Sequence, residues 1–399
     1  MTVPPPTVHQ VLVSRLIGGA GVVAIRLAAA VARRQVPTVA WVPGTGPASE
    51  ALDAAGTNWR TYDLEQMRGG AVPQLWAALR MAGGLGAVSR PIVHVHNPTV
   101  YRLLRPALMA VRARTVVHFQ IEPSKEEIRW SMRYPPDCIV ACARYIAATI
   151  ATELEGIRPA PRIVAAPNSI DIERFAPSSR DAARQRVGIP TTRVVLLMMA
   201  NLSPHKGQET ALKALRLLTT RGIDAECWLA GEDRTPGQPY EAELRRQAED
   251  TGIAERVRFL GFRSDGPDLL RSSDVLLLPS THEGLPLILL EAQAAEVPVV
   301  GSTIPGIAEV IEEGRTGCLV PAHDAVGYAD AIQHLTSDHE LRDRLTSAAA
   351  HQVRRNNTWT QFERTMFEIY GSLSPAITPE LSARAPGGAA GVGAGDGDA

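Results

Sequence analysis

The residues most suited to chemistry in this chain are two carboxylates, Glu283 and Glu291, set eight positions apart around Gly284-Leu285-Pro286. Val275 to Leu278 is a short apolar run ended by Pro279 and reads as a buried strand. The longer run from Leu285, β-branched only at Ile288, reads as a buried helix. Pro286 falls in the first helical turn, where its missing N–H costs nothing. The amides of Gly284, Leu285 and Leu287, with the positive end of the helix dipole, favour an anion beyond the strand's C-terminal edge. At about 1.5 Å rise per residue the two carboxylates lie about 12 Å apart along the axis. That span fits a sugar ring at one end, a diphosphate in the middle and a ribose at the other, the carboxylates accepting from hydroxyls.

Other positions carry the same kind of signal. Val8 to Leu16 reads as a strand followed by Gly18-Gly19-Ala20-Gly21 and an Ala/Leu-rich helix from Val22 to Arg34, an order that brings backbone amides near a phosphate. Lys206 stands before a helix running from Gln208 to Leu218, aimed at the cleft that the Glu283 loop faces. Pro91 to Val95 ends in His94-Val95-His96-Asn97-Pro98, and strand alternation sends His94 and His96 to one face. A paired-histidine metal site is one reading of that pair, with no third ligand type evident. Cys138 and Cys142 are read as two small buried residues around a strand end rather than a zinc or redox half-site, because no second Cys/His pair lies nearby.

In order, these stretches resemble the GT4 family of retaining glycosyltransferases. Glu283 and Glu291 match its E-x7-E signature. The flanks agree: Phe259-Leu260-Gly261-Phe262, Ser273-Asp274-Val275, Leu278-Pro279-Ser280, Ala295 to Val300, Gly306-Ile307-Ala308-Glu309-Val310, Thr316-Gly317 and Leu319-Val320-Pro321. The resemblance implies an α/β GT-B fold, two Rossmann-like domains facing a deep cleft. It also implies a nucleotide-diphosphate sugar donor, retention of anomeric configuration and no metal or other cofactor. It makes Lys206 the diphosphate lysine, Gly18 and Gly19 the loop approaching the donor from the opposite domain, and Phe262 a neighbour of the base. Glu283 and Lys206 carry the catalysis, with His96 on the acceptor side through its likeness to a His-x-His-x-Pro stretch. Glu283, Gly284, Leu285, Pro286 and Glu291 hold the donor.

The chain also departs from the family pattern. Gln120 stands where many members have His, so an acid–base role there is lost, and His118 and Glu122 share its face as substitutes. Asn201 stands where members usually pair an Arg with the lysine. A neutral donor gives roughly half the strength of a charge-assisted bond, so either turnover is slower or another Arg reaches in. Pro167-Asn168-Ser169-Ile170-Asp171, then Phe175 and Pro177, is like the turn that closes the first domain, with Ser169 for the usual Gly. Glu296, for a common glycine, reads as a tolerated surface change.

The resulting domain division is 1–170 for the acceptor domain, joined by a crossover helix at 359–373, and 181–358 for the donor domain. A disordered, Pro/Gly/Ala-rich tail follows over 374–399. The alternatives are a sugar-nucleotide 2-epimerase of the same fold and a degenerate, non-catalytic binding subunit. A GT-A enzyme is disfavoured because the Asp-x-Asp of Asp396 and Asp398 lies in the tail.

Composition sets bounds. The chain has 399 residues and a formal net charge of -1, which argues for more than one domain and against a general nucleic-acid binder. No run of eighteen apolar residues occurs. The opening Thr2-Val3-Pro4-Pro5-Pro6 has no charged leader, which makes the cytoplasm the expected compartment. Residues 1–175 hold 19 Lys/Arg against 12 Asp/Glu, and between Glu65 and Glu122 there is no acidic residue, whereas Arg68, Arg80, Arg90, Arg102, Arg105, Arg112 and Arg114 all occur. Such a face suits an anionic acceptor or peripheral contact with an anionic membrane surface at the inner face, or is simply solvated. The expected partners are a UDP-, GDP- or other NDP-sugar and a carbohydrate, glycolipid or small-molecule acceptor. Polysaccharide, glycolipid or natural-product biosynthesis is the implied setting.

Overall fold

A computed structural model describes residues 5–86, 90–131, 133–158, 160–175, 179–189 and 191–377. Most of the expected tail, with Asp396 and Asp398, lies outside the described residues, as do Thr2 to Pro4 and Pro177.

Strands that are apolar along their whole length cannot leave a face to water, so they belong in parallel sheets covered on both sides. Two such sheets form. The first contains β1 (Val8–Val11), β2 (Thr38–Val42), β3 (Trp59–Thr61), β4 (Ile92–Val95), β5 (Arg114–Phe119), β6 (Cys138–Ala141) and β7 (Arg162–Ala165), in the order β3-β2-β1-β4-β5-β6-β7. The second contains β8 (Val194–Met199), β9 (Ala225–Ala230), β10 (Val257–Gly261), β11 (Val275–Leu278), β12 (Val299–Ser302) and β13 (Cys318–Val320), in the order β10-β9-β8-β11-β12-β13. Every pairing within both sheets is parallel. Strand order reverses direction at β1/β4 in one sheet and at β8/β11 in the other. In doubly wound sheets, ligands gather outside the carboxyl ends of strands at such points.

The helix Trp359–Leu373 returns to the first sheet. Its Phe362, Met366, Phe367 and Tyr370 are buried against Val8, Ile92, Val116 and Cys138. Thr358 caps it, its hydroxyl accepting from the Gln361 amide.

Several boundaries differ from expectation. β1 stops at Val11, and the helix after it starts at Gly19, so the glycines lie at the helix start. The helix after the Glu283 loop is Leu287–Ala294, with Pro286 at the N-cap rather than inside the first turn. Glu296 adopts φ +58, the left-handed region where a side chain is strained. That position has a conformational reason for glycine, so Glu296 is more than a neutral surface change.

Candidate functional site

Both switch points carry the residues singled out in the sequence. After β8 the chain turns through Asn201 to Lys206 and enters the helix Gln208–Thr220 by way of Gly207. After β11 it turns through Ser280 to Glu283. The two loops touch: Lys206 Nζ donates to Glu283 Oε1 at 2.7 Å, and Ser280 Oγ donates to the same oxygen at 2.8 Å. Gly207 is required here, because an added Cβ would collide with the carbonyl of Pro279. Glu283 Oε2 and the amide N–H groups of Gly284 and Leu287 have no partner among the described residues, whereas the Leu285 amide donates to the Cys142 thiol of the first domain. The Gly284 and Leu287 donors are therefore not consumed by the fold.

The first domain faces this corner from across the cleft. A Cβ placed on Gly19 would lie 3.7 Å from Leu287 Cδ1, so the glycine loop and the helix start are neighbours. Gly284 sits so close to the end of β5 that a side chain there would strike the Gln120 carbonyl. Three further contacts join the halves. Tyr145 Oη donates to the Glu283 carbonyl at 2.7 Å, and Asn168 Nδ2 donates to the Leu285 carbonyl at 2.8 Å. The Glu309 carboxylate accepts from the amides of Arg144 and Tyr145 at 2.8 and 2.9 Å, satisfying the start of a first-domain helix.

Glu291 lies at this boundary as well. Burial raises its carboxyl from 4.5 to about 7, against the opposing charges of Arg174 and Arg26. Arg26 belongs to the helix after the glycine loop. Its guanidinium lies 4.3 Å above the Trp359 ring and 3.7 Å from Asp171.

Arg234 was not singled out in the sequence. From the loop after β9 it crosses to the first domain, where Nη2 donates to the Ile17 carbonyl at 2.9 Å. With Gly18, Gly19, Gly21 and His96 it lines a cavity of about 160 Å³. Its only sequence signal is its place just beyond a strand's C-terminal end. It supplies a cation to the glycine-loop cavity.

The remaining predicted residues separate. Asn201 is exposed, its carbonyl accepting from Gln208 Nε2. Phe262 is 60% exposed just past β10. His96 is buried and reaches the glycine-loop cavity, whereas His118 is fully buried beneath Phe362, away from it. Desolvation takes the His96 imidazole down to about 3, so it is neutral at physiological pH. The Gln120 side-chain amide has no hydrogen-bond partner.

A larger hollow of about 780 Å³ opens in the first domain beyond β1, β2 and β3. It is lined by Arg15, Asp63, Glu65, Arg68 and Arg80 with Trp41 and Tyr62, among others.

The chain is 32% identical over 215 residues to a D-inositol 3-phosphate glycosyltransferase of Saccharomonospora viridis, covering 52% of this chain and 49% of that protein. It is 31% identical over 236 residues to the protein of the same name from Corynebacterium urealyticum, covering 57% and 55%. The chain thus spans about half the length of the curated relatives it matches. Its fold superposes on Anabaena HepE in complex with UDP and glucose with a TM-score of 0.81 at 20% identity, over 92% of this chain and all of the other. Sucrose-phosphate synthase from Thermosynechococcus elongatus superposes with a TM-score of 0.75 at 18% identity, over 93% of this chain and all of the other. Residues 179–352 match the family described as glycosyl transferases group 1, in a chain whose fold is the GT-B arrangement of two Rossmann-like domains.

Proposed function

We propose that the chain is a glycosyltransferase that moves a sugar from a nucleotide-diphosphate sugar to an acceptor hydroxyl with retention of configuration. The observation that carries this reading is the meeting of Lys206 and Glu283 at 2.7 Å at the second sheet's switch point, directly across from Gly18 and Gly19. The donor's diphosphate lies against Lys206, the amides of Gly284 and Leu287, and the glycine loop. Glu283 accepts from sugar hydroxyls through Oε2, and Glu291 accepts from the ribose. The acceptor oxygen attacks the anomeric carbon from the leaving-group side. As its bond to carbon forms, the carbon–oxygen bond to the diphosphate breaks, and the acceptor's proton passes to a departing phosphate oxygen. The protein's contribution is placement and charge, and His96, neutral and with Nε2 held by Gln10, carries no proton in the transfer.

The acceptor enters by the first domain's large hollow. Arg15, Arg68 and Arg80 outnumber Asp63 and Glu65 on its lining, which favours an acceptor bearing an anionic group. Relatives named for inositol 3-phosphate agree with such chemistry.

A lipid-linked acceptor is reached from a membrane surface. The helix Ala71–Leu85 carries Val72, Leu75, Trp76 and Leu79 at 67, 48, 65 and 47% exposure, a continuous apolar stripe at helical spacing. Arg68, Arg80 and Arg102 are exposed around it, an arrangement suited to an anionic bilayer interface. No helix among the described residues is long and apolar enough to cross a membrane. Trp76→Ser with Leu79→Ser is expected to reduce sedimentation with anionic liposomes. Unchanged sedimentation, or none by the parent chain, removes the membrane from the reading.

The central test is a thermal-shift panel of nucleoside diphosphates and their sugars, followed by nucleotide release with acceptor extracts. Release abolished by Glu283→Ala and by Lys206→Ala supports transfer. Conversion of a sugar nucleotide without any acceptor identifies an epimerase. Binding without release leaves a non-catalytic subunit.

A further inference from the structure

Three histidines of the first sheet lie outside the donor chemistry. Alternation along β4 puts His94 and His96 on one face, and the register pairing Val95 with Val117 sets His96 beside His118 of β5. The ring centroids are 4.2 Å apart for His94 and His96, 5.4 Å for His94 and His118, and 5.5 Å for His96 and His118. One nitrogen from each ring lies within 4.8 Å of the others, and all three side chains are buried. The third ligand that the His94/His96 pair lacked in sequence is on the neighbouring strand.

The hydrogen-bonding pattern is uneven in an informative way. The outer nitrogens of two rings are held: His94 Nδ1 lies 2.7 Å from Tyr370 Oη, and His96 Nε2 lies 2.8 Å from Gln10 Oε1. Gln10 Nε2 in turn donates to Tyr370 Oη at 2.8 Å. The other nitrogens, His94 Nε2, His96 Nδ1 and both of His118, have no partner. His94 and His96 show the division found in metal-bound histidines, one ring nitrogen fixed by an outer hydrogen bond and the other free, but their planes lie 14° apart in a stack, so one ring must turn for both free nitrogens to meet a single ion. Burial also lowers the proton affinity of all three rings, leaving them in the neutral form that ligates.

We propose that His94, His96 and His118 form a three-imidazole site for a divalent transition ion, with zinc the best match, that fastens the crossover helix to the first sheet. Three neutral imidazoles suit zinc and its borderline neighbours rather than magnesium or calcium. A water would complete the four-ligand set. In the loaded state Gln10 and His94 both donate to the Tyr370 oxygen, so the Tyr370 hydroxyl proton lacks its acceptor. One unmet hydroxyl is set against three metal–nitrogen bonds. In the metal-free alternative, Tyr370 donates to His94 Nδ1 and the inner nitrogens remain unmet. The ion would also fix the His96 ring at the cavity edge, while the proposal itself stands apart from any glycosyl transfer.

The full chain, purified without a histidine tag and stripped with a chelator, is titrated with zinc and separately with cobalt(II). The expected result is about one equivalent bound, a cobalt absorption band of a four-coordinate site of three nitrogens and one water oxygen, and a raised melting midpoint on zinc addition. His118→Ala should lose binding, whereas Tyr370→Phe should weaken it about 10–100-fold with the cobalt band retained. Zinc content of the unmodified chain after gel filtration provides an arm that does not depend on any variant folding. No stoichiometric metal and no cobalt band in that chain overturn the proposal. A folded His118→Ala chain that binds zinc as tightly as its parent places the ion elsewhere and overturns it equally.

Discussion

Replacing Glu291 with glutamine should make the protein more stable at pH 8 and a poorer nucleotide binder. The folded carboxyl is displaced from 4.5 to about 7 by burial between the domains. At 1.36 kcal/mol per pH unit this corresponds to roughly 3 kcal/mol. Because the folded-state value is raised, the unfolded chain releases this proton near pH 4.5 while the folded chain keeps it. Stability contributed at this position is therefore intact below about pH 4.5, falls as pH rises towards 7, and falls no further above that. Glu291→Gln cannot ionise, so it should match its parent near pH 4.5 and exceed it by up to about 3 kcal/mol at pH 8. Urea unfolding of both chains at four pH values measures the difference. Nucleotide affinity should move the other way. Ribose hydroxyls favour the ionised carboxylate, so parent affinity rises between pH 6 and 8, and the variant is weaker by about tenfold or more. Parallel stability curves, or a variant less stable at pH 8, would refute the assignment of a costly buried carboxyl held for its ligand.

Lys206→Ala should reduce kcat/KM for nucleotide release by about 10² to 10³, while melting changes little because Ser280 Oγ still donates to Glu283. Arg234→Ala removes a cation and its bond to the Ile17 carbonyl. A charge-assisted contact is worth about 1.5–3 kcal/mol, so calorimetry should give nucleoside diphosphate affinity at least tenfold lower, with a weaker salt dependence. Gly284→Ala drives a Cβ into the Gln120 carbonyl and should cost about 1–3 kcal/mol. It should also enlarge the radius of gyration in X-ray scattering, and an unchanged radius would mean that this contact does not hold the domains together.

The legible parts of the sequence were those where local pattern and tertiary demand agree. β11 matches expectation to the residue because an unbroken apolar run has no surface alternative. β3 escaped notice: its three residues are half-buried or exposed at a sheet edge, where burial imposes no pattern. Lys206 and Glu283 were readable because each follows a strong strand and precedes a helix. Arg234 was not, since a loop arginine has no periodicity and its meaning comes from the domain opposite. The third histidine of the β4/β5 cluster is separated in sequence by twenty-two residues from His96 and joins it only through strand register.

The closure of the two halves explains why glycines and backbone groups, more than charges, define this site. Tyr145 and Asn168 of the first domain bind carbonyls of the Glu283–Leu285 loop rather than its side chains. Glu309 binds backbone amides, and Gly284 meets a carbonyl. Contacts of this kind hold the loop's path while leaving the Glu283 carboxylate, Lys206 and the loop amides to face the cleft. The half-buried Glu291 with Arg26 and Arg174 brings charge into the same boundary, and charge there costs stability unless it is compensated. A nucleotide's hydroxyls and diphosphate supply that compensation, so ligand binding and domain closure should stabilise one another.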